Sequence, residues 1–209
     1  MPVEDQAKWD RRYSEGAYAE RDHPSPLLVD WLAVAPPGRA ADLACGRGRN
    51  SRYLAAQGYQ VDGYDISPVG LKLAAGHADG EINWHQRDLL VEGLPQGERY
   101  ALIIMFRFVA LDLLAQLADH LVPGGVLVVE NHLQYAQADA LTLAGPGSAR
   151  FRVAPQAQRQ ALGERLEILH EYEGLASDPD GSTVALAQLI ARNTENRDEN
   201  MRSETGGLR

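Results

Sequence analysis

Short apolar runs alternate with helix-periodic stretches about every fifteen residues along the chain, the rhythm of repeated strand-helix-strand units. Ala40 to Ala44 is a short apolar run that ends in Gly46-Arg47-Gly48, and Tyr53, Leu54 and Ala55 then fall at helical spacing before Gly58. The pattern predicts a strand, a glycine turn and a helix. Tyr59 to Tyr64 predicts a second strand closed by Asp65. Ser67-Pro68 supplies an N-cap with proline at the first helical position, for a helix reaching about His77. Ile82 to Gln86 predicts a weak third strand. Tyr100 to Phe106 is a continuous apolar run, as expected of a strand buried on both faces. A helix is expected from about Val109 to Leu121, a turn at Pro123-Gly124-Gly125, and a fifth strand at Val126 to Glu130. Leu166 to Tyr172 and Val184 to Ala191 are separated only by the turn-rich Ser177 to Ser182. They predict a hairpin and therefore an antiparallel edge.

Two segments break the rhythm. His132 to Pro155 has glycines, Pro146 and no clean period, the character of a long connection that covers a binding site. From Asn193 to Arg209 the chain is polar, with four acids, three arginines and almost no apolar residue, which predicts a disordered tail. The expected organisation is one domain over residues 1–192, with residues 1–35 as a helical N-terminal cap, followed by the tail at 193–209.

Composition narrows the function classes. With 20 Lys and Arg against 29 Asp and Glu, the net charge is −9. Nucleic-acid affinity rests on basic residues displacing counterions, so DNA and RNA are not expected partners. One cysteine, Cys45, leaves no intramolecular disulfide and points to a reducing, cytoplasmic setting. The acidic first residues do not form a secretory signal, and no apolar stretch approaches the roughly 20 residues of a membrane span. The six histidines show no pair at the spacing that puts two ligands on one helix face, so no metal site is expected.

The chemistry concentrates at Asp42-Leu43-Ala44-Cys45-Gly46-Arg47-Gly48-Arg49-Asn50, where the first strand turns into the first helix of the repeating pattern. Glycines there admit a ligand close to the backbone, at the carboxyl end of a strand where open α/β sheets bind. Asp65 ends the second strand 19 residues after Gly46, where an acid can accept hydrogen bonds from both ribose hydroxyls. A nucleoside-containing cofactor follows. The dinucleotide fingerprint wants a third glycine, and this chain has Ser51 there. Asp42 would repel a pyrophosphate but suits an ammonium or sulfonium, and Asp88, after the third strand, can accept from an adenine amino group.

Taken together, Asp42 to Asn50, Val61 to Leu71, Asp88 and Leu121 to Gly125 resemble the class I S-adenosylmethionine-dependent methyltransferases. Trp9 to Tyr13 and His23 to Leu28 further resemble their tellurite-resistance-type small-molecule members. The resemblance spans Trp9 to about Asn193. It implies a Rossmann-like, seven-stranded, mostly parallel sheet with helices on both faces and an antiparallel C-terminal hairpin strand. It also implies S-adenosylmethionine as cofactor and a small-molecule acceptor such as a thiol, chalcogen oxyanion or carboxylate; the charge and hydropathy above add neither nucleic acid nor membrane as a partner. Gly46 and Gly48 would line the methionine moiety, Asp65 the ribose, and Asp88 and Leu89 the adenine. Trp9 and Tyr13 would close over the cofactor, with Asp42, Ala44, Asn50, Ile66 and Phe106 as further contacts. Arg107 and His132 fall where acceptor chemistry is expected.

Alternatives stand beside these roles. Trp9 and Tyr13, four residues apart, could simply pack an N-terminal helix. Asp42 could cap backbone amides of the turn, and Asp88 could be an N-cap. Arg107 could orient an anionic substrate or pair with Asp112 or Glu130, and His132 could be a base or a surface residue. Cys45 is read as small rather than nucleophilic. An NAD-dependent oxidoreductase and a noncatalytic cofactor-binding module are the competing functions, and the oligomeric state stays open.

Overall fold

The computed structural model describes residues 2–77, 82–136 and 143–194. Among these residues, eight strands form one sheet: β1 (Arg39–Leu43), β2 (Gln60–Asp65), β3 (Ile82–Gln86), β4 (Tyr100–Phe106), β5 (Leu121–Leu133), β6 (Arg152–Val153), β7 (Glu167–Ser177) and β8 (Thr183–Arg192). Their order is β3-β2-β1-β4-β5-β8-β7, with the two-residue β6 alongside the end of β5. The first five strands pair in parallel, and β8 runs antiparallel between β5 and β7. The seven-stranded path and antiparallel hairpin match the expected architecture, and β6 adds an eighth strand.

Among the described residues, seven α-helices flank the strands: α1 (Pro2–Ser14), α2 (Pro26–Trp31), α3 (Arg49–Ala56), α4 (Pro68–Ala75), α5 (Leu89–Glu92), α6 (Leu111–Leu114) and α7 (Ala157–Leu162). All seven residues of β4 are buried, because β4 has a strand on each side and a packed layer on each face. Alternate side chains serve the two layers. Leu102, Ile104 and Phe106 join Leu28 and Leu54 of α2 and α3 on one face. Ile103 and Met105 join Leu113, Leu114 and Leu162 of α6 and α7 on the other. Burying each such side chain is worth about 1.5–3 kcal/mol before chain entropy is charged against it. Strand order reverses between β1 and β4, so the crevice of this sheet opens at their carboxyl ends.

Three expectations need correction. The helix predicted over Val109 to Leu121 shrinks to α6 and a 3₁₀ turn at Leu117–His120. Arg107 takes a left-handed backbone (φ 58°), so the chain turns aside at the end of β4 and Phe108 and Val109 become part of the crevice wall. The fifth strand starts at Leu121 instead of Val126, with Pro123-Gly124-Gly125 as an irregularity inside it. Gly124 N–H donates to the Asn193 carbonyl and Asn193 N–H to that of Gly125, so the end of β8 pairs with this turn. For the same reason Asn193, expected to begin the tail, is buried and donates its side-chain amide to the Leu121 carbonyl at 3.2 Å. Residues 195–209 of the expected tail lie outside the described residues.

Gly48 shows how closely the first turn is packed. A Cβ there would stand 2.5 Å from the Trp84 ring and 3.0 Å from Ala74 Cβ, and its φ is 73°. Left-handed backbone costs a non-glycine residue about 1–2 kcal/mol, and overpacking a core costs about 1–3 kcal/mol. Gly48→Ala is therefore expected to lose roughly 2–5 kcal/mol in urea unfolding. A loss under about 1 kcal/mol would mean that Trp84 gives way freely.

Candidate active site

A cavity of about 590 Å³ opens at the carboxyl ends of β1 to β4, within the roughly 300–1,000 Å³ usual for small-molecule sites. Its floor is the turn after β1. Ala44 (φ 58°), Gly46 (φ 57°) and Gly48 (φ 73°) are all left-handed, and the turn delivers the chain into α3. Asp65, at the end of β2, holds this turn: one carboxylate oxygen accepts the Gly46 N–H at 2.8 Å and the other the Ser67 N–H at 2.8 Å. Acceptor capacity remains on a carboxylate that lines the cavity. Burial pushes Asp65 up to about 6 despite these amides.

Asp42 is buried too, and its carboxylate accepts the Ser51 hydroxyl at 2.6 Å. The residue that replaces the third glycine of the dinucleotide pattern thus anchors the first turn of α3 to β1. Burial raises Asp42 to about 7, against the lowering effect of the Ser51 hydrogen bond and the Arg49 charge. Asp88 caps α5 by accepting the Leu90 N–H at 3.1 Å, so the N-cap reading holds while the residue also faces the cavity with Leu89 and Ile66.

The N-terminal helix closes one side. Trp9 and Tyr13 stack at 6.0 Å between ring centroids, and Trp9 meets Phe151 edge-on at 6.4 Å. Both pack as the helix-packing reading expects, and both also line the cavity. Tyr13 lies over the glycine turn, where a Cβ on Gly46 would stand 2.6 Å from its hydroxyl. Burial, then the Asp65 charge, pushes the Tyr13 phenol well up.

At the opposite side, Arg107 follows β4 beside Phe106. Its guanidinium donates to Asp178 at 2.9 Å and pairs with Glu130 at 3.1 Å, while the other terminal nitrogen lies 3.1 and 3.2 Å from the two ring nitrogens of His132. The sequence alternatives for Arg107 included Glu130; Asp112 is not its partner, and Asp178 from the β7–β8 turn is added. Arg21 reaches the same Asp178 at 3.5 Å. Burial, followed by the Arg107, Arg152 and Arg21 charges, lowers His132 to about 3. His132 is buried, not a surface residue, and ends packed against Gly145.

The cavity thus brings together Trp9, Tyr13, Asp42, Ala44, Gly46, Asn50, Asp65, Ile66, Asp88, Leu89, Phe106, Arg107 and His132. Gly48 is not on its wall, because Trp84 and Ala74 cover the face that a side chain would occupy. Sequence reasoning missed seven other wall residues of consequence: Arg12, Arg21, Arg47, Arg49, Arg87, Arg150 and Tyr18. The signal for two of them was available, since Arg47 and Arg49 stand inside the glycine turn itself. Tyr18, Ala44 and Arg107 are also three of the four described non-glycine residues with left-handed φ, a concentration of backbone strain typical of functional sites.

Residues 40–125, β1 to the start of β5, match the family model described as a methyltransferase domain. This stretch of the chain is similar to a methyltransferase domain. An uncharacterized methyltransferase of Synechocystis sp. is 40% identical over 82 residues, which are 38% of this chain and 35% of that protein. TehB from Haemophilus influenzae superposes with a TM-score of 0.67 at 20% identity, covering 79% of this chain and 61% of TehB. The N-methyltransferase NodS from Bradyrhizobium japonicum, in complex with S-adenosylhomocysteine, superposes with a TM-score of 0.60 at 18% identity, covering 81% of this chain and 84% of NodS. The chain therefore spans about a third of that sequence relative's length and under two thirds of TehB's. The shared fold sets the cavity at the switch point of the sheet. Among the described residues, no helix is long and apolar enough to cross a membrane.

Proposed function

We propose that this chain is an S-adenosylmethionine-dependent methyltransferase that acts on a small-molecule acceptor. The observation that carries the reading is the row of acids along the β1–β3 side of the cavity. Asp42, Asp65 and Asp88 lie there around a glycine turn that leaves no room for a Cβ at Gly46. These acids suit a ligand that presents hydroxyl, amino, ammonium and sulfonium groups, whereas a pyrophosphate would meet Asp42 and find Ser51 where a third glycine is needed. The cofactor, when bound, supplies an activated methyl group and its own leaving group.

The chain's task is then alignment and exclusion of water. Asp65 would hold the ribose hydroxyls on the acceptor capacity its amide bonds leave free, Leu89 and Ile66 would enclose the base with Asp88 at its edge, and Trp9 and Tyr13 would close the cap. Asn50, whose side-chain oxygen accepts the Ser25 N–H at 2.9 Å, fixes the cap segment to the turn. His132 is unprotonated at neutral pH and so can accept a proton, but burial and its arginine neighbours make it a weak base. The site therefore favours an acceptor that arrives already ionised or polarisable.

Calorimetry should show saturable binding of S-adenosylhomocysteine and none of NAD. NAD binding in place of S-adenosylhomocysteine would sink the reading in favour of an oxidoreductase. Tight S-adenosylhomocysteine binding, with no methyl transfer to any of a panel of thiols, chalcogen oxyanions, carboxylic acids and amines, would favour the noncatalytic module.

A further inference from the structure

Charge is divided across the cavity. Asp42 lies in β1, Asp65 ends β2 and Asp88 follows β3, while Arg49, at the start of α3, shares the wall with Arg107 after β4 and with Arg21, which reaches Asp178 of the β7–β8 turn. Arg107 and Arg21 have carboxylate partners in Glu130, Asp178 and Asp180. Arg49 does not: among the described residues no carboxylate lies within 4.0 Å of it, and its hydrogen bonds go to the His23 carbonyl at 3.0 Å and the Ser25 hydroxyl at 2.9 Å. These neutral acceptors fix the side chain's direction and leave three of five N–H donors without a bond.

Arg49 is half-buried, and a partly desolvated guanidinium without a counterion is favoured when something anionic completes it. Burial, then the Arg107 and Arg21 charges, lowers the Arg49 pKa, so these three cations share one corner of the cavity. The nearby carboxylates are committed elsewhere, Glu130 and Asp178 to Arg107 and Asp42 to Ser51. Arg12 and Arg47, also on the wall, likewise have no carboxylate within 4.0 Å among the described residues. The cofactor proposed above brings a single carboxylate for these three unpaired guanidiniums, which leaves a surplus of positive charge.

We infer that the methyl acceptor is an organic anion whose carboxylate or phosphate group docks on Arg49, with Arg21 and Arg107 flanking it, at the β4–β5 end of the cavity. The inference rests on the methyltransferase reading of the same cavity. It assigns Arg49 the anchoring of the acceptor rather than the cofactor. Arginine suits this role because its planar fork can donate twice to either group.

The test loads the full chain with S-adenosylhomocysteine and titrates benzoate, benzamide and inorganic phosphate by calorimetry. Benzoate, phosphate or both should bind saturably and benzamide should not; a preference for benzoate identifies a carboxylate, and a preference for phosphate a phosphoryl group. Arg49→Gln should weaken the bound anion at least about tenfold, the loss of a charge-assisted contact, with S-adenosylhomocysteine affinity unchanged. Arg49→Lys should retain part of the anion affinity, and matched melting curves identify the folded variants. Absence of binding by either anion, equal binding of benzamide, anion binding unaffected by Arg49→Gln, or a parallel loss of S-adenosylhomocysteine affinity would each overturn the assignment. Failure of the wild-type chain to bind S-adenosylhomocysteine at all would instead overturn the methyltransferase reading beneath it.

Discussion

Asp65→Ala will weaken S-adenosylhomocysteine binding by about 1.5–3 kcal/mol for each ribose hydrogen bond lost, at least roughly tenfold in affinity. The same substitution strips two buried amides, Gly46 N–H and Ser67 N–H, of their acceptor. An orphaned buried donor costs about 1–3 kcal/mol, so unfolding free energy should fall alongside affinity. Ser67→Ala separates the two effects. Its hydroxyl donates to Asp10 and accepts the Gly70 N–H at 3.1 Å, but Ser67 does not line the cavity. That variant should lose stability while its folded form keeps its affinity. The pH profile adds a signature. A hydroxyl donates better to an ionised carboxylate, so wild-type affinity should strengthen as pH rises through about 6, where Asp65 titrates. Asp65→Ala should lack that rise. In the unliganded protein the sign is opposite: a carboxyl held above its ordinary range favours the protonated folded state, so its contribution to stability declines as pH climbs from that range to about 6. Affinity unchanged in folded Asp65→Ala would remove the ribose assignment.

The contrast between Asp65 and Arg49 shows what the sequence makes legible. Asp65 ends a strand whose residues Val61 to Tyr64 are buried, and the glycine turn stands at a fixed spacing before it. Local patterns, apolar runs and glycine needs, suffice to place both. The buried run of β4 and the turn-separated hairpin are readable for the same reason. Arg49 looks from its neighbours like any solvated arginine, and only the folding of Ser25 and His23 against it makes it a wall residue. Alanine and arginine give no hint of the left-handed backbone that Ala44 and Arg107 adopt. The apolar residues between Val109 and Leu121 do suggest a helix, but the turn at Arg107 takes the first of them for the cavity. Nonlocal pairing hides most completely: Arg107 and Asp178 are 71 positions apart.

That pairing carries the second large effect. Arg107→Ala is expected to lower unfolding free energy by about 3–5 kcal/mol, the usual consequence of removing one partner from a buried ion pair. Glu130 bears most of it. Its side chain is 4% exposed and would keep only the Gln188 amide at 2.8 Å, whereas Asp178 retains Arg21. Alanine makes the same left-handed demand on the backbone as arginine, so the substitution isolates the side chain. Adding Glu130→Gln should restore part of the loss, because the orphaned charge is gone; for residues in direct contact the coupling should lie in the range of about 0.5–3 kcal/mol. The variant also reports on His132. Burial is the first cause of its lowered pKa and stays, but the Arg107 charge, the second cause, disappears, so the His132 titration should move up from about 3. An NMR pH titration of the ring reads this directly. An unmoved His132 together with unchanged stability would mean that Glu130, Asp178 and His132 do not depend on Arg107. A raised pKa would show that the arginines gathered at the β4–β5 end keep this imidazole a weak base.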